Sequence, residues 1–77
     1  METQYTEISY LNETVEIIQF LSESNEQFVK RLEFIKKLEN NKISWNTSLV
    51  LSKIYYNYNF KKCRYSQGVF NMIKKYL

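Results

Sequence analysis

The chain has 77 residues, a formal net charge of +3, one cysteine and no histidine or proline. Its length limits it to one domain, residues 1–77. The lone Cys63 excludes an internal disulfide, and the lack of histidine excludes a Cys/His zinc site. Because aspartate is missing as well, the usual catalytic triads and histidine bases cannot form. The composition therefore predicts a protein that is not an enzyme and needs no cofactor or metal.

The charges are divided unevenly along the chain. Residues 1–29 contain six glutamates and no lysine or arginine, whereas residues 30–77 contain all eleven lysines and arginines. In one interpretation, the acidic first part lies against the basic part and neutralises it. In the other, the basic part faces an acidic partner, which would be nucleic acid, an anionic membrane surface or an acidic protein.

No signal for membrane insertion or export is found in the sequence. No apolar run reaches the ~18–20 residues that span a bilayer. The N-terminal residues Met1–Gln4 are polar and acidic, unlike the charged start and apolar run of a signal peptide. A single unpaired cysteine is typical of a reducing compartment. We therefore expect a cytoplasmic protein without a transmembrane segment.

The first predicted element is a helix over residues 7–21, with Asn12 as the start of a shorter version. Its apolar residues recur in steps of three and four, which places them on one helical face: Tyr5, Ile8, Leu11, Val15 and Ile18. A hairpin is not expected, since the chain has one glycine and lacks the Asn-Gly or Asp-Gly pair that favours two-residue turns.

The second predicted helix begins with a capping box, in which Ser24 is followed three residues later by Gln27. Asn40 and Asn41 end it. Its inner stripe is Phe28, Leu32, Ile35 and Leu38.

The third predicted helix follows Ser44, with Asn46 as its cap and Trp45 packing on Val50. A strand over Leu49–Tyr58 is the alternative, but apolar residues there repeat every three to four positions. Ser66 caps a fourth helix after a basic link. Short polar links favour antiparallel neighbours. The sequence thus predicts an all-α fold, a small antiparallel four-helix bundle, with a three-helix bundle as the alternative.

Basic and aromatic residues concentrate in the second half and form the candidate partner-binding site. Cations there can neutralise phosphates while rings stack on bases, or can approach an anionic membrane. Tyr56 points to a different side of the third helix from its neighbours, and tyrosines often anchor protein interfaces. The predicted site is Tyr56, Lys61, Lys62, Arg64, Tyr65, Lys74 and Lys75.

The order of motifs in residues 34–75 is similar to that of a known family. In chain order they are Lys37-Leu38-Glu39, Tyr55-Tyr56-Asn57-Tyr58-Asn59-Phe60, Arg64-Tyr65-Ser66 and Met72-Ile73-Lys74-Lys75. An arginine, an aromatic residue and a serine just before the last helix form the most specific part. The stretch resembles the immunity proteins of class IIa bacteriocins, especially the enterocin A immunity type.

This resemblance implies an antiparallel four-helix bundle in the cytoplasm of a bacteriocin producer. Such proteins protect the cell from its own pore-forming peptide at the cytoplasmic side of the mannose-transporter receptor. The partner would then be the membrane receptor or its complex with the bacteriocin. This chain is shorter than most members, and little follows its last helix. The alternative is a small basic phage or mobile-element effector that binds nucleic acid or inhibits a host or defence protein.

Overall fold

The computed structural model describes residues 5–61 and 63–77 and has an α+β fold. The chain forms strands β1 (Tyr5–Tyr10) and β2 (Glu13–Ile18), then helices α1 (Asn25–Asn40), α2 (Trp45–Phe60) and α3 (Gln67–Lys74). The prediction of an all-α fold, as a four-helix or a three-helix bundle, is therefore wrong. A β-hairpin stands where the first helix was expected.

The hairpin is antiparallel and is closed by a two-residue turn. Tyr5 pairs with Ile18 at the open end, and Tyr10 pairs with Glu13 at the turn. Leu11 and Asn12 have φ values of 48° and 66°, so both adopt the left-handed backbone that such turns require. Asparagine tolerates this conformation well, whereas leucine adopts it at an energetic cost. The chain thus makes this turn without glycine.

The helical spacing of the first apolar residues was misleading. Tyr5, Leu11 and Ile18, three of the five residues in the predicted stripe, are 61%, 45% and 52% exposed. The buried side of the hairpin instead alternates along each strand, and its residues are Ile8, Tyr10, Val15 and Ile17. The period-three pattern combined residues from both sheet faces with one from the turn.

Helix α1 begins and ends with well-formed caps. The Ser24–Gln27 capping box is present, which confirms that prediction. At the C-terminal end, the Ile43 N–H donates to the Leu38 carbonyl at 3.1 Å, and the Lys42 N–H donates to the Glu39 carbonyl at 2.8 Å. These bonds form a Schellman motif. Lys42 occupies the position that glycine usually takes, with φ 58°.

Helices α1 and α2 form an antiparallel pair along their length. Phe34 of α1 stacks on Tyr55 of α2 with ring centroids 4.4 Å apart, and Leu38 packs in the same cluster as Leu51. Residue numbers rise along one helix as they fall along the other, as expected from the short link. The side chain of Ser44 caps α2, so the prediction of Asn46 as the cap is wrong.

Helix α3 is short and covers one side of this helix pair. Ser66 caps it, as predicted. Ile73 is completely buried in the cluster that contains Phe34 and Leu51. The molecule is flat, with principal extents of 32 × 32 × 17 Å. In the part of the chain that is described, no helix combines the length and apolarity needed to span a membrane.

Helix α1 contributes to two separate apolar clusters. One cluster lies between α1 and the hairpin, and its buried members are Tyr10, Ile17, Phe28 and Ile35. The other lies between α1, α2 and α3, and its buried members are Phe34, Leu38, Leu51 and Ile73. The Tyr10 hydroxyl contacts the Ile43 carbonyl and the Ser48 hydroxyl. This contact joins the hairpin to the start of α2.

A buried ion pair connects the hairpin to α1. The side chains of Arg31 and Glu23 are 2% and 0% exposed, and Arg31 Nε donates to Glu23 Oε2 at 2.8 Å. Arg31 Nη2 donates to Glu23 Oε1 at 3.0 Å and to the Ile18 carbonyl at 2.7 Å. The guanidinium carbon also lies 3.9 Å from the centroid of the Phe20 ring. The two buried charges are therefore paired with each other, and Arg31 is also bonded to the backbone of β2.

Replacing Arg31 by methionine should destabilise the fold strongly, because it leaves Glu23 buried and unpaired. Breaking a buried pair costs about 3–5 kcal/mol. The double replacement Glu23→Gln/Arg31→Met should recover part of this loss, because no charge is then buried. Urea denaturation of the two variants measures the difference. Equal stability of Arg31→Met and the wild type would contradict the role given to the pair.

Replacing Lys42 by glycine should stabilise the protein, because glycine adopts positive φ without strain. We expect a gain of about 1 kcal/mol, which raises Tm by roughly 4–8 °C in a domain of this size. The matched control is Lys53→Gly within α2, where glycine should instead cost about 1 kcal/mol. Thermal denaturation, followed by circular dichroism, measures Tm of both variants. A lower Tm in Lys42→Gly than in the wild type would contradict the prediction.

Candidate partner-binding surface

Tyr56, the predicted interface anchor, lies in the interior. Its side chain is 3% exposed. The ring packs edge-on against Phe20, with centroids 5.0 Å apart, and its hydroxyl lies 3.3 Å from the Ser22 hydroxyl. The expectation that Tyr56 is available to a partner is therefore wrong. The side of α2 that carries Tyr56 is covered by the link that follows the hairpin.

The predicted basic residues after α2 are at the surface. Lys61 and Arg64 are exposed, and Tyr65 is half-buried. The Lys61 ammonium lies 5.9 Å from the centroid of the Tyr56 ring, close enough for a cation–π contact. Lys62 lies outside the described residues. The backbone after α2 turns back on the helix, since the Lys61 and Cys63 N–H groups both donate to the Asn57 carbonyl.

Lys74 and Lys75 are exposed at the end of α3. Each holds its ammonium over an aromatic ring: Lys74 lies 5.9 Å from the Phe70 centroid, and Lys75 lies 5.2 Å from the Tyr76 centroid. We call Lys61, Arg64, Tyr65, Lys74 and Lys75 the basic surface. It contains five of the seven residues predicted from the sequence.

Within the described residues, no ion pair joins the acidic part of the chain to this surface. Three ion pairs are found in residues 5–61 and 63–77, namely Glu26–Lys30, Glu23–Arg31 and Glu39–Lys36. None of them includes a residue of the basic surface. Two of the three pairs, Glu26–Lys30 and Glu23–Arg31, join the acidic part to the basic part, but at α1 and not at the basic surface.

A cleft of about 150 Å³ opens between α1, α2 and the segment after α3. Its lining residues are Lys30, Glu33, Phe34, Lys37, Tyr55, Asn59, Tyr76 and Leu77. Phe34 and Tyr55 form its aromatic floor, and Lys30 and Lys37 provide cations at its rim. Because Lys75 lies over the ring of Tyr76, the cleft adjoins the basic surface. Its volume suits one side chain of a partner rather than a large ligand.

The cleft residues on α1 are not among the site residues predicted from the sequence. Lys30, Phe34 and Lys37 follow one another in steps of four and three, which places them on one face of a helix. This spacing was visible in the sequence. The spacing does not show, however, that α3 and the turn after it leave this part of the α1–α2 groove uncovered.

Tyr55 supplies a hydroxyl to the cleft. Burial raises the pKa of Tyr55 above its ordinary value, and the nearby Glu33 carboxylate raises this pKa further. Both effects disfavour the phenolate. At neutral pH the hydroxyl is therefore protonated and can donate a hydrogen bond. With Lys30 and Lys37 it gives the cleft three donors suited to a carboxylate, while Glu33 is the one acidic group in the lining.

Most aromatic residues near the basic surface pack against one another, although no ring contact of Tyr65 is found among the described residues. Tyr58 and Phe70 have ring centroids 4.7 Å apart, Tyr55 and Phe60 pack edge-on at 6.0 Å, and Tyr76 packs edge-on against Phe34 at 6.4 Å. Rings engaged in this way have few open faces on which nucleic-acid bases could stack. They instead hold the lysines at defined positions.

Metal binding has no support in the described part of the chain, where no group of three or more acidic or cysteine residues is placed to hold an ion. Comparison of the chain with protein-family models finds no match, and comparisons with curated proteins and with solved structures find none either. The function is therefore argued from the geometry of the surface itself.

The pKa of Tyr55 gives a test of the cleft. In Glu33→Gln this pKa should fall but stay above the ordinary value, because burial is the larger cause. At neutral pH the Tyr55 hydroxyl is protonated in both the folded and the unfolded state, so stability does not vary with pH through this group. Because the folded state keeps the proton to a higher pH than the unfolded state, the stability of the fold should fall as pH rises above about 10. Carbon-13 NMR of the tyrosine ring carbons, assigned with Tyr55→Phe, measures the titration; an unchanged pKa in Glu33→Gln would contradict the contact.

Proposed function

We propose that this chain is a non-catalytic binding protein that docks an acidic protein on the basic surface and the adjoining cleft. The observation that carries the proposal is the set of exposed cations that have no ion-pair partner among the described residues. Lys61, Lys74 and Lys75 are held by rings rather than by carboxylates, so an acidic partner can pair with them without breaking an existing ion pair.

The cleft favours a protein partner over nucleic acid. Protein interfaces commonly centre on one side chain that fills a pocket, surrounded by polar contacts, and a cleft of about 150 Å³ suits such an anchor. Nucleic-acid recognition by a helix-turn-helix needs two helices at about 90–120°, whereas α1 and α2 are antiparallel. Base stacking needs open aromatic faces, and apart from Tyr65 the rings near the basic surface are packed together.

The most specific form of this proposal is immunity against a class IIa bacteriocin. The residues that carry the resemblance lie in α1, α2, α3 and the link before α3. In this setting the protein is cytoplasmic and works near the inner face of the membrane. Its partner is the membrane receptor or the receptor–bacteriocin complex, and its basic residues allow peripheral contact with anionic lipid. The hairpin departs from the four-helix bundle that the resemblance implies, so this form rests on the three helices alone.

Expression in a bacteriocin-sensitive strain tests the immunity form directly. The wild-type protein should raise survival in the presence of a class IIa bacteriocin. Lys74→Glu/Lys75→Glu should abolish protection, because it reverses two of the four positive charges of the basic surface. The matched control is Lys36→Glu/Lys53→Glu, which makes the same change in net charge at exposed lysines outside the basic surface and the cleft lining. It should protect like the wild type.

Circular dichroism of the purified variants shows whether both remain folded. Survival that never exceeds the empty vector, against any class IIa bacteriocin tested, would reject the immunity form. Equal protection by Lys74→Glu/Lys75→Glu and the wild type would reject the basic surface as the site.

The rival function is a phage or mobile-element effector that binds nucleic acid. It predicts retention on DNA that weakens steeply as salt rises, because phosphate contacts release counterions. If the wild type is retained on DNA in this way and Lys74→Glu/Lys75→Glu is not, the partner is nucleic acid and not an acidic protein.

A further inference from the structure

The outer face of the β-hairpin is an exposed surface that is acidic and partly apolar, unlike the basic surface. All its side chains are exposed: Tyr5, Glu7, Ser9, Thr14, Glu16 and Ile18. Tyr5 and Ile18 are cross-strand partners and are 61% and 52% exposed. An apolar pair therefore lies in the open at the end of the sheet, next to the acidic pair Glu7 and Glu16.

Among the described residues, the edges of this two-stranded sheet carry few of the usual protections against a further strand. Neither strand has a further strand beside it in the described part of the chain. Proteins usually guard such edges with lysine, proline or a bulge, because unpaired N–H and C=O groups accept another strand. Residues 5–18 contain no lysine and no proline. The register from Tyr5–Ile18 to Tyr10–Glu13 is continuous, so no bulge interrupts it.

The geometry of the hairpin identifies which edge is open. A two-residue turn is closed by a hydrogen-bonded pair, here Tyr10 and Glu13, and bonded and non-bonded pairs alternate from there. The outer-face residues therefore belong to non-bonded pairs, whose backbone groups point out of the sheet. On β2, the Ile18 carbonyl is already bonded to Arg31. On β1, no backbone bond from Glu7 or Ser9 to another element is found among the described residues, and the same is true of Thr14 and Glu16 on β2. The bonded Ile18 carbonyl is therefore what favours β1 as the open edge.

The charges indicate what kind of strand this edge accepts. Glu7 and Glu16 stand directly opposite each other, and like charges at such positions repel. Among the described residues neither belongs to an ion pair, and residues 5–29 contain no cation. A second copy of the chain would bring more glutamates to the edge and increase the repulsion. A strand with lysine or arginine at the matching positions would remove it.

We propose that the β1 edge binds an extended, cationic segment of a partner protein as a third strand. Backbone hydrogen bonds to Glu7 and Ser9 provide affinity, as in other cases of strand addition. Cationic side chains pair with Glu7 and Glu16 on the outer face, and the aliphatic stem of a lysine covers Tyr5 and Ile18. This site shares no residue with the basic surface. It binds a cationic segment, whereas the basic surface binds an acidic protein.

The test uses the whole protein and a blocked hexapeptide of alternating lysine and valine. Titration followed by nitrogen-15 NMR should give saturable shifts at residues 5–9, with smaller shifts in β2. Binding should weaken as salt rises. A hexapeptide of alternating glutamate and valine is the control for strand propensity, and it should not bind. Shifts that are spread over the molecule, or equal for the two peptides, would overturn the proposal.

Two proline variants distinguish the two edges. Ser9 and Thr14 are cross-strand partners in a non-bonded pair, so each N–H points out of the sheet and proline at either position leaves the hairpin ladder intact. Ser9→Pro should weaken peptide binding by about tenfold or more, through the lost donor and the blocked edge. Thr14→Pro should bind like the wild type. Unchanged binding by Ser9→Pro would reject the β1 edge.

Glu7→Gln separates the binding role of the charge from its effect on folding. It should weaken binding of the lysine peptide and also raise Tm of the free protein, because the repulsion with Glu16 is relieved. This variant covers the case in which a proline variant fails to fold. Tighter or unchanged peptide binding by Glu7→Gln would contradict the proposal.

Sedimentation and the lysine variants complete the test. Self-association that Ser9→Pro abolishes would show that a second copy occupies the edge, and would overturn the choice of a cationic partner. Lys74→Glu/Lys75→Glu should bind the lysine peptide like the wild type. The immunity test and the peptide-binding test can therefore fail independently of each other.

Discussion

The arrangement of the hairpin on the helices depends on the buried pair of Glu23 and Arg31. A buried charge is costly unless every polar atom finds a partner. Here Glu23 accepts hydrogen bonds from the Arg31 guanidinium and from the Phe20 N–H at 3.1 Å, and Arg31 also bonds the Ile18 carbonyl. These contacts fix the end of β2, the link that follows it and one face of α1 relative to one another.

The same pair determines the distribution of surface charge. It removes one glutamate and one arginine from the surface, and Glu26–Lys30 is the other described ion pair that joins the acidic part of the chain to the basic part. The hairpin keeps Glu7, Glu13 and Glu16 exposed, while the end of α3 keeps its lysines exposed. Among the described residues, no ion pair joins the glutamates of the hairpin to the lysines at the end of α3, so each surface keeps its own charge.

Local signals in the sequence were sufficient for the helices and insufficient for the hairpin. The serine caps of α1 and α3 are decided by side-chain bonds to backbone within three residues, so a short window reveals them. The hairpin depends instead on a left-handed Leu11, which no preference of leucine favours. Its strands are also held by cross-strand and tertiary packing, which overrides the apparent helical spacing. A prediction from apolar spacing alone could not detect either effect.

For the candidate site, the sequence located the exposed cations but not the buried residue among them. Exposed lysines follow from composition and helix position, since burial of an unpaired charge is rare. Tyr56 was misplaced because its environment is formed by Phe20 and Ser22, which lie more than thirty positions away in the chain. That contact exists only because the hairpin replaces a helix and brings its link over α2. One error in the first element thus produced the second error at the site, and correcting the fold corrects both.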